Sequence, residues 1–422
     1  MNRKMIGSGI SWIGDIPATW NVVRTKTKYS NHKDIVGDRA NDYERLALTL
    51  GGVIKRPKDD TVGLQPEAFN GYQILRENEL VFKLIDLENV STSRVGSSPY
   101  TGIVSPAYII LSPKEENESK YGLYYYLSMW QRQIFNHIGD DGVRSSLTAS
   151  DLLNVPYLDI PVDEKYRIGL FLDTECFRID SIIEKTRASI EEYKKLKQSI
   201  IAEAVTRGIR KNRPMKDSRI EWSKELPIDW EPISPKALFT QRKDKAIPGE
   251  KQLTASQQYG VVYQDEYMEL TGSKIVTVEK DFDILKHVEA GDFVISMRSF
   301  QGGLEYSTKT GSISSAYVML IPNLRMVYPR FFRWLFKSAV YINALQSTSN
   351  MVRDGQAMRY SNFAQVRLFA VPLEEQCEIA DYLDQQCSSM DKLIEQKSKL
   401  VQELDLYKKS LIYEYVTGKK EV

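Results

Sequence analysis

Two stretches of the chain, about 163 to 207 and 374 to 417, contain no proline and no glycine except Gly169, and their apolar residues fall at helical spacing. In the first, Leu172, Ile179, Tyr193 and Ile200 lie seven or fourteen positions apart, with Ile182, Ile183, Leu196 and Ala204 adjoining them. In the second, Leu383, Met390, Leu404 and Leu411 repeat the pattern. Sustained spacing of this kind predicts long helices that bury a stripe against one another. A helix of about 43 residues would span ~60 Å, beyond the usual globular length. We read the two as an antiparallel coiled coil related by a pseudo-twofold axis.

The remaining blocks mix strand-like runs with turn signals. Glu79-Leu80-Val81-Phe82 and Asp292-Phe293-Val294-Ile295 each follow a short polar turn, and Tyr108-Ile109-Ile110-Leu111 and Tyr317-Val318-Met319-Leu320 read as buried strands. Short helices fit Leu123 to Phe135 and Pro329 to Leu345. The fold class expected is α+β: two globular mixed α/β domains separated by two long helices. The expected boundaries are 1–162 for the first domain, 163–207 for its helix, 208–218 for a basic linker, 219–372 for the second domain and 373–422 for the C-terminal helix.

Laid on itself, the sequence repeats. Ile10-Ser11-Trp12, Ile16-Pro17 and Trp20 recur as Ile220-Glu221-Trp222, Leu226-Pro227 and Trp230 at a constant offset of 210 positions. Ile160-Pro161-Val162-Asp163-Glu164 recurs as Val371-Pro372-Leu373-Glu374-Glu375, and the match runs on through Leu172-Asp173 and Leu383-Asp384 into the helices. Between these ends the halves have diverged. A shared scaffold carrying two versions of a variable surface accounts for the pattern.

Composition narrows the chemistry. A hydrophobic fraction of 42% with 27% charged residues suits a globular protein. No window approaches the ~18 apolar residues of a membrane helix, and Met1 to Ile13 lacks a signal-peptide core, so a cytoplasmic protein is expected. Cys176, Cys377 and Cys387 have neither disulfide-framework nor zinc spacing and read as free buried thiols. The scattered His32, His137 and His287 read as surface or turn residues. The formal net charge is only +1, so charge matters locally: Lys55, Arg56 and Lys58 cluster, as do Arg242, Lys243 and Lys245. The run from Arg207 to Lys216 holds Arg207, Arg210, Lys211, Arg213 and Lys216 with no acid between them; it reads either as a DNA-backbone contact or as a simple link.

The whole chain resembles the specificity subunit of Type I restriction-modification systems. The resemblance is carried by the duplicated Trp-Pro-Trp openings, the Pro161 and Pro372 helix starts, the Leu-Asp pairs, Leu253-Thr254-Ala255-Ser256-Gln257 and Val104-Ser105-Pro106-Ala107-Tyr108. It implies that each variable domain, a target recognition domain, reads one half of a bipartite, asymmetric DNA site. The helices would set the spacer and bind two modification (methyltransferase) subunits, with restriction (translocase/nuclease) subunits beyond them. S-adenosylmethionine, ATP and Mg are then expected on partner subunits, with no cofactor on this chain. One departure is Lys165, which stands where the second half has Gln376.

No catalytic motif opposes that reading. The sequence has no Asn/Asp-Pro-Pro-Tyr/Phe methyltransferase loop. Gly418-Lys419-Lys420 lacks most of a P-loop and reads as a frayed basic tail. Asp159 with Asp163-Glu164-Lys165 could mimic a nuclease site, yet acids at a helix start favour the helix dipole, and no catalytic or metal-binding residue is assigned. For base contact, Arg suits guanine and Asn or Gln suits adenine. The candidates are Lys55, Arg56, Asn89, Ser91 and Arg94 in the first block, and Ser256, Gln257, Arg298, Ser299 and Gln301 in the second. A lone DNA-binding regulator and a protein-binding coiled-coil adaptor are the rival readings.

Overall fold

A computed structural model describes residues 3–60, 68–87, 94–115, 117–138, 146–275, 277–278, 284–296, 304–348 and 359–422. The chain divides into two compact units, Met1–Arg187 with Lys399–Val422, and Ala188–Ser398. The division passes through both long helices, Val162–Arg207 of 46 residues and Leu373–Val416 of 44. Each helix starts directly after a proline-containing turn with two acids in its first turn, Asp163 and Glu164 or Glu374 and Glu375. Such placement complements the helix dipole.

Each unit therefore holds the start of one long helix and the end of the other. In the first, Lys408 bonds both carboxylate oxygens of Asp180 at 2.6 Å, and Arg187 lies 3.6 Å from Asp405. In the second, Lys197 bonds both oxygens of Asp391 at 2.6 Å, and Lys397 sits 5.7 Å from the Tyr193 ring. Rising numbers on one helix meet falling numbers on the other, so the segments run antiparallel within each unit. These exposed pairs contribute at most about 1 kcal/mol each. Apolar burial stabilises the helices more: Leu172, Ile179 and Ile183 share a core with Val401, Leu411 and Ile412, and Ile201, Ala204 and Val205 share another with Ile379, Leu383 and Cys387.

Around these helices each unit folds antiparallel strands. The first has a four-stranded sheet in the order Tyr29–Ser30, Ile109–Pro113, Leu80–Lys83, Arg94–Ser97, and a hairpin of Leu46–Thr49 with Gly52–Lys55. The second has Phe239–Arg242, Tyr317–Pro322, Phe293–Ser296, Glu305–Tyr306 in the equivalent order, and a hairpin of Leu253–Ser256 with Gly260–Tyr263. Strand Asn21–Arg24 pairs with Pro156–Asp159 in one unit, as Glu231–Ile233 pairs with Leu368–Ala370 in the other. The architecture is mixed α and β, as the patterning predicts.

Two short helices differ from expectation. The first is Glu118–Gln131, followed by a 3-10 turn at Ile134–His137, because Gln133 adopts a left-handed φ of 56°. The second breaks at Ser338, whose extended backbone and capping hydroxyl separate Pro329–Lys337 from Ala339–Ser347.

The duplicated tryptophans explain how helix ends are seated. Trp20 is 1% exposed, and its indole N–H donates to Glu164 in the first turn of the first long helix at 2.8 Å. Arg3 bonds the same carboxylate at 2.5 and 2.8 Å and lies 5.1 Å over the indole. Trp230 repeats this with Glu375 at 3.0 Å, and Arg213 bonds that carboxylate at 2.9 Å. Each ring also lies beside the end of a long helix. A Cβ on Gly418 would meet Trp20 at 2.8 Å and Pro17 at 2.5 Å, and one on Gly208 would meet Glu375 at 2.8 Å. Both glycines have left-handed φ, +70° and +74°, which favours glycine. Gly418-Lys419-Lys420 is thus not a frayed tail: Lys419 donates to the Ile13 carbonyl at 2.7 Å, and Lys420 pairs with Glu414 at 2.8 Å.

The Lys165 departure also has a cause. Lys165 is 1% exposed and pairs with the Glu118 carboxylate, itself fully buried, which accepts a second bond from the Tyr157 hydroxyl at 2.7 Å. The equivalent Gln376 instead donates to the carbonyls of Met326 and Val371 at 2.8 Å and accepts from the Tyr328 N–H at 2.7 Å. Lys165→Met should destabilise the first unit by about 3–5 kcal/mol, since it strands a buried carboxylate. Adding Glu118→Gln should recover more than half of that loss, measured by urea denaturation.

Candidate nucleic-acid interface

Lys55 ends the second strand of the first unit's hairpin. It lies with Arg56, Arg45 and Lys58 along a cleft of about 590 Å³. Lys55 is half-exposed, pairs with Glu44 at 2.5 Å and sits 5.0 Å from the Tyr100 ring. Arg56 bonds Asp60 at 2.6 Å, and Lys58 donates to the Ala40 carbonyl at 2.6 Å. Arg45 and Lys58 flank the Phe69 ring at 5.6 and 6.0 Å. Arg94 touches the same hairpin through the Leu48 carbonyl at 3.2 Å. The cleft therefore gathers three cations of the sequence cluster and adds Arg45, whose spacing gave no signal.

In the second unit, Ser256 and Gln257 sit at the tip of the equivalent hairpin, Gln257 exposed and the Ser256 hydroxyl accepting from the Gln258 N–H at 3.3 Å. Lys251 and Lys309 flank Tyr263 on this hairpin at 5.1 and 4.5 Å. Neither lysine stood out in the sequence, because they lie 58 positions apart and meet only through strand pairing. Asn89, Ser91, Arg298, Ser299 and Gln301 lie outside the described residues.

Several cations of the other basic clusters pair with acids of the same unit. Arg242 is held by Asp244, Glu289 and Asp292 at 2.9, 2.9 and 2.7 Å. In the run from Arg207 to Lys216, Arg207 pairs with Glu225 at 2.9 Å, Arg210 with Glu378 at 3.0 Å, Arg213 with Asp229 and Glu375, and Lys216 with Glu231. The run is more than a bare link: four of its five cations pair with acids of the second unit, Arg207 and Arg210 at the surface and Arg213 against the buried Glu375. The acids lie far along the chain, at Glu375 and Glu378, or across the Met215–Ile220 and Ser223–Pro227 hairpin.

The suspected nuclease pattern resolves into the Lys165 pair, with Asp159 held 3.0 Å from Lys28. Among the described residues no cluster of His, Cys, Asp or Glu has metal-binding geometry, and no helix is long and apolar enough to cross a membrane. Cys176 and Cys387 are buried free thiols, while Cys377 is only half-buried. Burial pushes the Cys176 thiol up to about 11, away from the reactive thiolate. His287 is not a surface residue: it is 7% exposed and bonds Glu250 at 2.5 Å, because it sits in the paired strand Lys286–Val288.

No protein-family model matches the sequence. A curated relative from Methanocaldococcus jannaschii, named as a type I restriction enzyme MjaX specificity subunit, is 24% identical and aligns over 97% of this chain and 96% of its own length. The chain resembles a Type I restriction specificity subunit. Two solved structures share the fold of this chain. One is a chain from work on complex assembly and conformational transition of the type I R-M system, with a TM-score of 0.69, 14% identity and coverage of 96% and 99%. The other is the HsdS subunit from Thermoanaerobacter tengcongensis, with a TM-score of 0.54, 14% identity and coverage of 96% and 98%.

The clasp can be separated from an exposed contact. Arg213→Ala leaves Glu375 buried without its cation and should cost about 3 kcal/mol, whereas Arg207→Ala, losing an exposed pair, should cost under about 1 kcal/mol. Urea denaturation followed by tryptophan fluorescence distinguishes them, and equal losses would contradict the assignment.

Proposed function

We propose that this chain is the DNA sequence-specificity subunit of a Type I restriction-modification complex and catalyses no step itself. The observation that carries the reading is the likeness to a named specificity subunit along nearly the whole of both chains. In this reading 1–162 and 219–372 are target recognition domains, each taking one half of a bipartite, asymmetric site in double-stranded DNA. Helices 163–207 and 373–422 form an antiparallel coiled coil about a pseudo-twofold axis. They set the spacer between half-sites and bind two modification subunits, to which restriction subunits add. S-adenosylmethionine, ATP and Mg belong to those partners, and the complex works in the cytoplasm.

The physical division of labour is affinity from phosphate neutralisation and specificity from base edges. The cations beside each hairpin suit the first task. Lys55 and Lys309 are held by surface acids in pairs that contribute little, so a phosphate can take the place of the acid. The polar turn at Ser256 and Gln257 suits the second task, and 208–218 acts as a clasp within its own unit.

Co-expression with the modification subunit from the same genome, followed by mapping of methylated adenines, should give a two-part motif with a fixed spacer that vanishes when this chain is omitted. A stable complex without any motif would sink the proposal. Lengthening both long helices by matched heptads should lengthen the spacer and leave both half-sites unchanged. In binding assays on the assembled complex, Lys55→Ala should weaken all DNA sequences alike and lower the salt slope by about 0.9.

A further inference from the structure

The two equivalent hairpins differ most at their tips. The first turns through Leu50 and Gly51, with Leu50 exposed. The second turns through Gln257, Gln258 and Tyr259. Both glutamines are exposed, and neither side-chain amide has a hydrogen-bond partner among the described residues.

The second turn is also buttressed. Beneath it lies a cavity of about 400 Å³, bordered by Tyr306, Arg333 and Trp334, with Glu305 and Lys337 ion-paired in its wall. Glu305 is 8% exposed; burial raises its pKa and Lys337 pulls it back. A Cβ built on Gly260, the first residue after the turn, would lie 3.9 Å from the Glu305 carboxylate, so the backbone passes directly over the pair. Tyr259 packs edge-on against Tyr267 at 6.0 Å, from the helix Gln264–Thr271.

Glu305 is nearly buried and Lys337 partly exposed, so the carboxylate depends on this one cation, and removing either partner would leave the other without its counter-charge beneath the turn. Both hairpins pack over apolar cores, through Leu46, Leu48 and Val53 in the first and Leu253 and Val261 in the second, and the second adds the Glu305–Lys337 pair under its turn. A two-stranded ribbon fits the major groove, and a primary amide there bonds adenine N6 and N7 together. We propose that Gln257 and Gln258 read adenine in the half-site taken by the second unit, and that Glu305 and Lys337 are positioning residues that hold the turn for that contact. The inference rests on the Type I reading above and adds the base, the residues and their support.

The test uses the full-length chain with the modification subunit from its own genome and maps methylated adenines for wild type, Gln257→Ala, Gln258→Ala and Glu305→Gln. Each glutamine substitution should make one half of the motif degenerate at an A·T pair, raising near-cognate methylation about tenfold relative to cognate sites. The other half and the spacer should not change. Glu305→Gln should relax the same half, whereas a merely structural role would lower methylation everywhere with the motif intact. The turn substitutions replace exposed side chains and carry the test if Glu305→Gln does not fold. An unchanged motif, a uniform loss, or relaxation at a G·C pair overturns the inference alone. A wild-type chain that directs no bipartite methylation overturns the reading beneath it as well.

Discussion

In each unit one indole ring is gripped between the beginning of one long helix and the end of the other, and the arrangement of the helices follows from that grip. Trp20 takes Glu164 on its N–H and Gly418 against its ring; Trp230 takes Glu375 and lies beside Gly208. Because the helix segments of a unit lie side by side, a start and an end at one ring mean that they run in opposite directions. The chemistry suits the positions. A carboxylate belongs at a helix N-terminus, an arginine over the indole neutralises it without displacing it, and a left-handed glycine lets the other helix stop where a side chain would not fit.

Charge is spent in the same local way. In the longest basic run four cations pair with acids of their own unit, whereas other cations remain beside the hairpins. Those that remain beside the hairpins are spaced by aromatic rings, Phe69 and Tyr100 in one unit and Tyr263 in the other. Rings hold a cation in place through its flank and leave its hydrogen-bond donors outward.

The helices were the most legible part of the sequence, because some forty positions without Pro, and with Gly169 as the one Gly, carrying a heptad stripe admit few alternatives. Strand centres such as Val81 and Val294 were also readable from buried β-branched runs, though ends shifted by a residue or two. The tryptophans announced themselves by recurrence, but not their purpose: Arg3 and Glu164 are 161 positions apart, and no local pattern joins them. The same limit hid Arg45 and the Lys251–Tyr263–Lys309 cluster, and it made the Arg207 to Lys216 run look free. Sequence proximity displays like charges together; the opposite charges that cancel them arrive from elsewhere in the fold.

The buried Lys165–Glu118 pair sets different demands on the two halves of the repeat. Glu118 lies in the helix Glu118–Gln131 and Lys165 in the long helix that starts at Val162, so neither helix can change its partner residue alone. The first position carries an ammonium that needs a carboxylate, whereas Gln376 at the second needs only backbone partners. Helix starts that match in sequence are therefore seated by different chemistry, and a substitution tolerated at one is not automatically tolerated at the other.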